Sequence, residues 1–166
     1  AVKARHERLL SWLERHNPDV LCLQELKCVE DSFPALEVRG LGYHFAAYGQ
    51  KTYNGVAIIS RHPVEEVTRG FDDGVEDPQA RLITGRVDGV HIINGYFPNG
   101  GEVGSDKYVY KLAWMQRLNR WVAKHCDLTT DIAICGDYNV ATLDADVNRM
   151  HEWGDSAMCS PEGRQA

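Results

Sequence analysis

The sequence predicts an α/β or α+β fold in which a mixed sheet is covered by helices on at least one face. Three observations carry this. Residues 2–16 and 107–125 place apolar side chains at the three- and four-residue spacing of amphipathic helices. Short apolar runs bounded by turn residues, among them VLCL (20–23), VAII (56–59) and IAIC (132–135), read as strands. Some of these strands are joined by helices and others by a hairpin, which implies a mixed sheet rather than a purely parallel one.

Taken in order, Val2, Leu9, Leu10 and Leu13 give the first helix its apolar face. Asn17-Pro18-Asp19 is a turn, and the strand that follows ends at Glu25. A short helix is expected over 31–39, closed by Gly40. GYHFAAYG and NGVAIISRHP are strands, the second stopped by Pro63. ARLITGRVDGVHIINGYFP is a hairpin turning at Asp88-Gly89, a pair suited to a two-residue turn. The helix 107–125 leads to a last strand, 131–136, expected to be buried. Beyond Asn139 the pattern is irregular and polar. No repeat or linker interrupts the chain, and 166 residues suit a single domain.

Composition excludes several classes. No apolar run approaches the roughly 20 residues that span a bilayer, and the charged start AVKARHERLL does not resemble a secretory signal. The five cysteines form no C-x-x-C pair, and Cys22 and Cys135 sit inside apolar strands. Free buried thiols and a cytoplasmic location are therefore expected. A net charge of −6 argues against coating nucleic acid by charge alone. The basic stretch 105–125, with Lys107, Lys111, Arg117, Arg120 and Lys124, offers either a local positive surface or a solvated helix face. Neither G-x-G-x-x-G nor G-x-x-x-x-G-K-[ST] is present, so dinucleotide and P-loop folds have no support, and HEWGD lacks the second histidine of H-E-x-x-H.

The chemistry lies at strand ends. VLCLQE ends in Glu25, and IAICGDYN delivers Asp137 and Asn139. Open α/β sheets build ligand sites beyond strand ends. A hard divalent cation takes one or two carboxylates and leaves its other positions to water and substrate phosphate. An amide beside them contacts a phosphoryl oxygen without adding negative charge. The plainer alternatives are a solvated surface glutamate and a D-x-N turn or helix cap.

Six blocks in order, PDVLCLQELK, YNGVAIISRHPVEEV, DPQARLITGRV, VHIINGYFPNG, YKLAWMQRLNRW and ICGDYNVA, resemble the exonuclease III family. Its members are Mg²⁺-dependent DNA-repair nucleases of the endonuclease/exonuclease/phosphatase superfamily. The resemblance implies that superfamily's fold: mixed sheets packed as a sandwich with flanking helices. It also implies incision at abasic sites and removal of nucleotides from 3′ ends of duplex DNA, with Mg²⁺ as cofactor and Mn²⁺ as a substitute. By the same resemblance Glu25 is a metal ligand, and Tyr96 hydrogen-bonds the scissile phosphate. Asp137 handles a proton beside the metal, while Asn139 holds a phosphate oxygen close to it. Lys51, Asn54, Arg81 and Lys107 fall at DNA-backbone positions. Glu25, Tyr96, Asp137 and Asn139 are then expected to line one polar cleft.

Two family features find no match. The asparagine of the family's first strand is absent, and none of the seven histidines sits in the family's S-D-H setting. The sequence therefore reads as an N-terminal portion, incomplete at both ends. A small-molecule or lipid phosphodiesterase of the same superfamily would share Glu25 and Asp137, and a non-catalytic DNA-binding remnant would need neither. Neither a membrane nor an obligate protein partner is indicated.

Overall fold

The computed structural model describes residues 2–166. A 3₁₀ turn at Lys3–Arg5 leads into helix α1 (His6–His16) and strand β1 (Val20–Gln24). After a 3₁₀ turn at Glu30–Ser32 come α2 (Ala35–Gly40), β2 (His44–Tyr48), β3 (Val56–Ser60), β4 (Glu65–Arg69), β5 (Leu82–Val87) and β6 (Val90–Tyr96). The long helix α3 (Asp106–His125) precedes β7 (Ile132–Asp137), and α4 (Met150–Trp153) and α5 (Pro161–Gln165) complete the order. Two compact units result: residues up to Tyr96 with Asp127–Gly136, and Phe97–Cys126 with Asp137–Ala166. None of the described helices is long and apolar enough to cross a membrane.

In the first unit β1, β3 and β2 form an antiparallel sheet in that order, and β4-β5-β6-β7 form a second. The second sheet is mixed, as the sequence implies. β4, β5 and β6 are antiparallel, whereas β7 runs parallel to β6. His91 N–H donates to Asp131 O and, six residues on in both strands, Phe97 N–H donates to Asp137 O. β3 is central and wholly buried, which explains its unbroken apolar run. Its side chains alternate between two cores. Ala57 and Ile59 join Leu13, Val38 and Tyr43 under the helices, while Val56 and Ile58 meet Ile83, Val87 and Ile92 of the other sheet.

Local chemistry sets the boundaries. Asn17, with φ +50°, closes α1 by donating its N–H to Leu13 O at 2.9 Å, and Pro18 prevents continuation. The hairpin is as expected: Val87 pairs with Val90, and Asp88 and Gly89 both hold positive φ (+49° and +84°) as a type I′ turn needs.

Three expectations are corrected. The helix over 31–39 is two pieces, because Pro34 forces Phe33 into extended backbone (φ −72°, ψ 140°). β4, which the sequence reading did not assign, pairs with β5 through an irregular register between Glu65 and Thr68. β7 is only half-buried, with Ile134 exposed, because it is an edge strand with one neighbour. Cys22 and Cys135 are half-buried as well, and none of the five cysteines forms a disulfide among the described residues. Burial, reinforced by Cys135, pushes the Cys22 thiol up to about 12.

In the second unit Ser105 caps α3 by accepting from Tyr108 N–H at 3.2 Å. The helix buries Tyr108, Lys111, Trp114, Met115, Leu118 and Trp121. The ring of Phe97 packs edge-on against Trp114 and stacks on Tyr138. Lys111 in that buried row corrects its place among the surface bases of 105–125.

Candidate active site

In the first unit the carboxylate site is made by a sharp exit from β1. Glu25 takes φ +56°, and the next two residues bond the neighbouring loop, Leu26 N–H to Gly55 O at 3.1 Å and Lys27 N–H to Asn54 O at 2.9 Å. The Glu25 side chain is left partly exposed at 46%. The Tyr96 hydroxyl donates to Glu25 Oε1 at 2.6 Å, and Lys27 Nζ lies 3.3 Å from Oε2. The Tyr96 bond, aided by Lys27 and opposed by partial burial, holds the Glu25 carboxyl below its ordinary value, so it is an anion at neutral pH.

One residue further in, a buried polar knot fixes both strands. Asn94 is fully buried; its amide donates to Leu23 O at 3.0 Å and Ala57 O at 2.9 Å. Gln24 Nε2 donates to Asn94 Oδ1 at 2.8 Å. Gln24 adjoins Glu25 and Asn94 stands two residues before Tyr96, so this knot ties β1 to β6 at the level of the site. The sequence reading missed it, although a paired amide inside two apolar strands is the signal that marks it.

Arg81 and Asn54 belong to the same assembly. The guanidinium of Arg81 lies over the Tyr96 ring, 4.8 Å from its centroid, and donates to Tyr96 O and Gln79 Oε1. Asn54 is buried (8% exposed) and donates to Gln50 and Gln79. Its amide thus organises the loop, while Lys51 beside it is exposed. Four of the expected residues, Glu25, Tyr96, Arg81 and Asn54, are therefore joined by hydrogen bonds and a stacked cation within one unit.

In the second unit Asp137 is exposed at the end of β7, and its Oδ1 accepts Asn139 N–H at 3.0 Å. The turn-forming alternative thus describes part of what Asp137 does. Asn139, with φ +49°, donates from Nδ2 to Phe97 O at 2.9 Å and receives Asn99 Nδ2 at 3.4 Å. Asn99 was not singled out in the sequence; its place in NGYFPNG, three residues after Tyr96, is the signal. Lys111 Nζ donates to Asn139 O at 2.6 Å and to Asn99 O and Ala157 O at 3.3 Å. Burial pushes the Lys111 ammonium below the usual lysine value, and the charge of Asp137 acts in the opposite sense. Lys107 is exposed in the first turn of α3.

The glycine of IAICGDYN has a steric cause in the first unit. Gly136 takes φ +141°, and a Cβ there would fall inside the carbonyl of Gly95 on β6. Only glycine lets the strand that carries Asp137 approach so closely.

The donor chemistry suits a loosely held hard cation. Glu25 is an exposed, ionised carboxylate of the type Mg²⁺ uses, with water and phosphate filling its other positions. Among the described residues no three His, Cys, Asp or Glu side chains form a group that could hold a metal ion. Lys27 would have to yield Oε2 to an incoming cation.

The chain matches the family described as "Endonuclease/Exonuclease/phosphatase family" over residues 1–164. It is 33% identical to exodeoxyribonuclease III of Haemophilus influenzae, an alignment covering 98% of this chain and 65% of that protein. An AP endonuclease from Archaeoglobus fulgidus superposes with a TM-score of 0.95 at 34% identity, covering 99% of this chain and 64% of the other. A variant of the 3′ phosphatase NExo from Neisseria, solved with product DNA hairpin, gives 0.93 at 37% identity with the same coverage. The chain thus spans a little under two thirds of these relatives' lengths, and the resemblance read from the six sequence blocks is upheld. A profile match running through both units, joined to close structural likeness, establishes that this chain belongs to the endonuclease/exonuclease/phosphatase family.

Proposed function

We propose that the protein is a Mg²⁺-dependent DNA-repair nuclease that hydrolyses phosphodiester bonds at abasic sites and 3′ ends of duplex DNA. The observation that supports this reading is the 2.6 Å bond from Tyr96 to Glu25, which sets the phenol we assign to the phosphate beside the carboxylate we assign to the metal. The names of the relatives, an exodeoxyribonuclease III and an AP endonuclease, support the substrate class. So does the product DNA held by the Neisseria protein. The family is one of metal-dependent enzymes, and we assign Mg²⁺, with Mn²⁺ as a substitute, from the hard oxygen donors. We read the two units as parts of one domain, since the family match runs through both. We place the protein in the cytoplasm, where cysteines without disulfides stay reduced.

Each residue has a chemical part. The family resemblance gives Glu25, Asp137 and Asn139 the metal-side roles, and a divalent cation held by Glu25 would stabilise negative charge developing on the phosphoryl oxygens. Once a cation takes up Glu25, the Tyr96 hydroxyl would turn its single hydrogen from Glu25 to a non-bridging oxygen, where that charge accumulates. The resemblance gives the second hydrogen of the Asn139 amide the same kind of role. Asp137 keeps Oδ1 on Asn139 N–H and uses Oδ2 to exchange a proton with the attacking water or the leaving oxygen. Arg81 stiffens Tyr96 from behind, and Lys51 and Lys107 contact the DNA backbone. Asn54 acts by shaping the loop that carries Lys51.

The test is cleavage of an end-labelled duplex containing one abasic site, with Mg²⁺, with Mn²⁺ and with EDTA. Metal-dependent incision is expected. Hydrolysis of bis(p-nitrophenyl) phosphate without incision would favour a small-molecule phosphodiesterase. DNA binding with no hydrolysis of either substrate would favour a non-catalytic remnant.

A further inference from the structure

We propose that Lys111 is a positioning residue: by clamping three backbone carbonyls it fixes the side chains of Asn139 and Asn99 against the phosphodiester. This rests on the phosphodiester reading of Asn139 given above. Lysine is almost never fully buried, because removing an ammonium from water is costly unless every donor is met. Lys111 is 0% exposed. Its three donors meet three acceptors from three separate segments: Asn99 after β6, Asn139 after β7 and Ala157 before α5.

Two of those carbonyls belong to the residues whose side chains touch each other at the proposed site. Asn139 holds a left-handed conformation (φ +49°) that asparagine tolerates better than other non-glycine residues. The 2.6 Å bond to its carbonyl adds to the Asp137 and Phe97 contacts that hold it there. The lysine stem also has a reserved path. At Gly100 (φ +90°) a Cβ would stand 2.8 Å from Lys111 Cδ and 3.2 Å from Ala157 Cβ.

The experiment compares Lys111→Met, Lys111→Arg, Asn139→Ala and the double variant Lys111→Met/Asn139→Ala in the intact chain. Kinetics on the abasic duplex and side-chain amide hydrogen exchange of Asn139 by NMR are the two readouts. Lys111→Met is expected to lower kcat by about 30- to 100-fold with KM within about threefold, the mark of a displaced transition-state contact. Lys111→Arg recovers part of the loss. The double variant is expected to be no slower than Asn139→Ala alone, because the two act through one contact. Exchange of the Asn139 amide should quicken by at least about tenfold in Lys111→Met, while strand amides of β3 stay protected. If Lys111→Met does not fold, Gly100→Ala carries the same test, since it presses on the stem and keeps the charge. Additive losses in the double variant, or unchanged exchange at Asn139, would overturn the proposal. A wild-type chain that cleaves no abasic duplex would sink the phosphodiester reading instead, and the exchange measurement would still decide the clamp.

Discussion

The two units hold their polar residues by different means. In the first, Glu25 is gripped by side chains, with Tyr96 on one oxygen and Lys27 near the other, above a sandwich fixed by Asn94. In the second, Asp137 ends β7 and Asn139 sits on the irregular chain just beyond it, and what grips them is largely backbone: Asn139 N–H, Phe97 O and the carbonyls gathered by Lys111. The difference follows from their supports. A residue leaving a paired strand inherits a rigid base and needs only its tip held. A residue on a loop must have its main chain held first. Substitutions in the first unit should therefore act on the chemistry of one group, and those in the second on the placing of several.

The largest effect is expected at Asp137→Asn. The amide keeps an oxygen to accept Asn139 N–H, so the turn survives, but the carboxylate proposed to exchange the proton is gone. Abasic-site incision should fall by about 100- to 10,000-fold, the usual worth of a general acid or base. The melting temperature should change little, because Asp137 is exposed. A Tm loss as large as that of a core variant would instead make Asp137 structural.

Next comes Tyr96→Phe, which removes one donor to the phosphate and the bond that favours ionised Glu25. A loss of about 100-fold in kcat is expected. The pH dependence has a definite sign. Glu25 lies below its ordinary value when folded, so its stabilising contribution is present above the unfolded carboxylate value and fades as pH falls through the folded one. Without the hydroxyl the folded value moves back up. In metal-free buffer, carbonyl NMR should show Glu25 of Tyr96→Phe protonating at higher pH than in the wild type. An unmoved titration would mean that Lys27, not Tyr96, sets the charge.

Asn94→Ala addresses the sandwich. It leaves the Leu23 and Ala57 carbonyls and the Gln24 amide without their partner in a buried place. A cost of about 1–3 kcal/mol in urea unfolding is expected for unsatisfied buried groups, with kcat impaired through β1 and β6. If stability drops and kcat does not, the knot serves the fold alone.

How much of this was legible depended on whether a residue's role was local. The Asp88-Gly89 turn is written in two letters, and the structure repeats it. Pro34 was legible in principle, since the residue before proline resists helix, yet the apolar spacing around it prompted one helix where there are two. β4 was hidden because EEVTR is an edge strand with a mostly wet face, and its irregular register breaks the alternation. Gly136 stands in the same block as Asp137, but the reason for it, the carbonyl of Gly95, lies 41 residues away in sequence and only pairing reveals it. Lys111 was counted among surface bases, although its spacing from Tyr108, Met115 and Leu118 places it on their buried face. Periodicity held that answer, and the habit of reading lysine as solvated concealed it.

The smallest effects belong to the exposed lysines, one in each unit, and they separate DNA-tracking from local structure. Lys51 stands on the loop 50–54 and Lys107 in the first turn of α3; both are exposed. Neither side chain is spent on a buried network as Asn54 and Lys111 are. Phosphate contacts release counterions, so each one adds close to one to the slope of log affinity against log salt. Lys51→Ala and Lys107→Ala should each lower that slope by about one, weaken binding alike across DNA sequences and leave kcat on bound substrate nearly intact. The comparison between units sharpens the expectation. Lys51 rides on the Gln50–Asn54–Gln79 network, which ties it to Arg81 and so to Tyr96. Lys107 has no such tie to a reacting group. A small kcat effect at Lys51 with none at Lys107 would show the side-chain linkage of the first unit at work. Equal kcat effects at both would mean that DNA placement, and not that linkage, limits the reaction. A slope unchanged in both variants would return the two lysines to ordinary solvated surface.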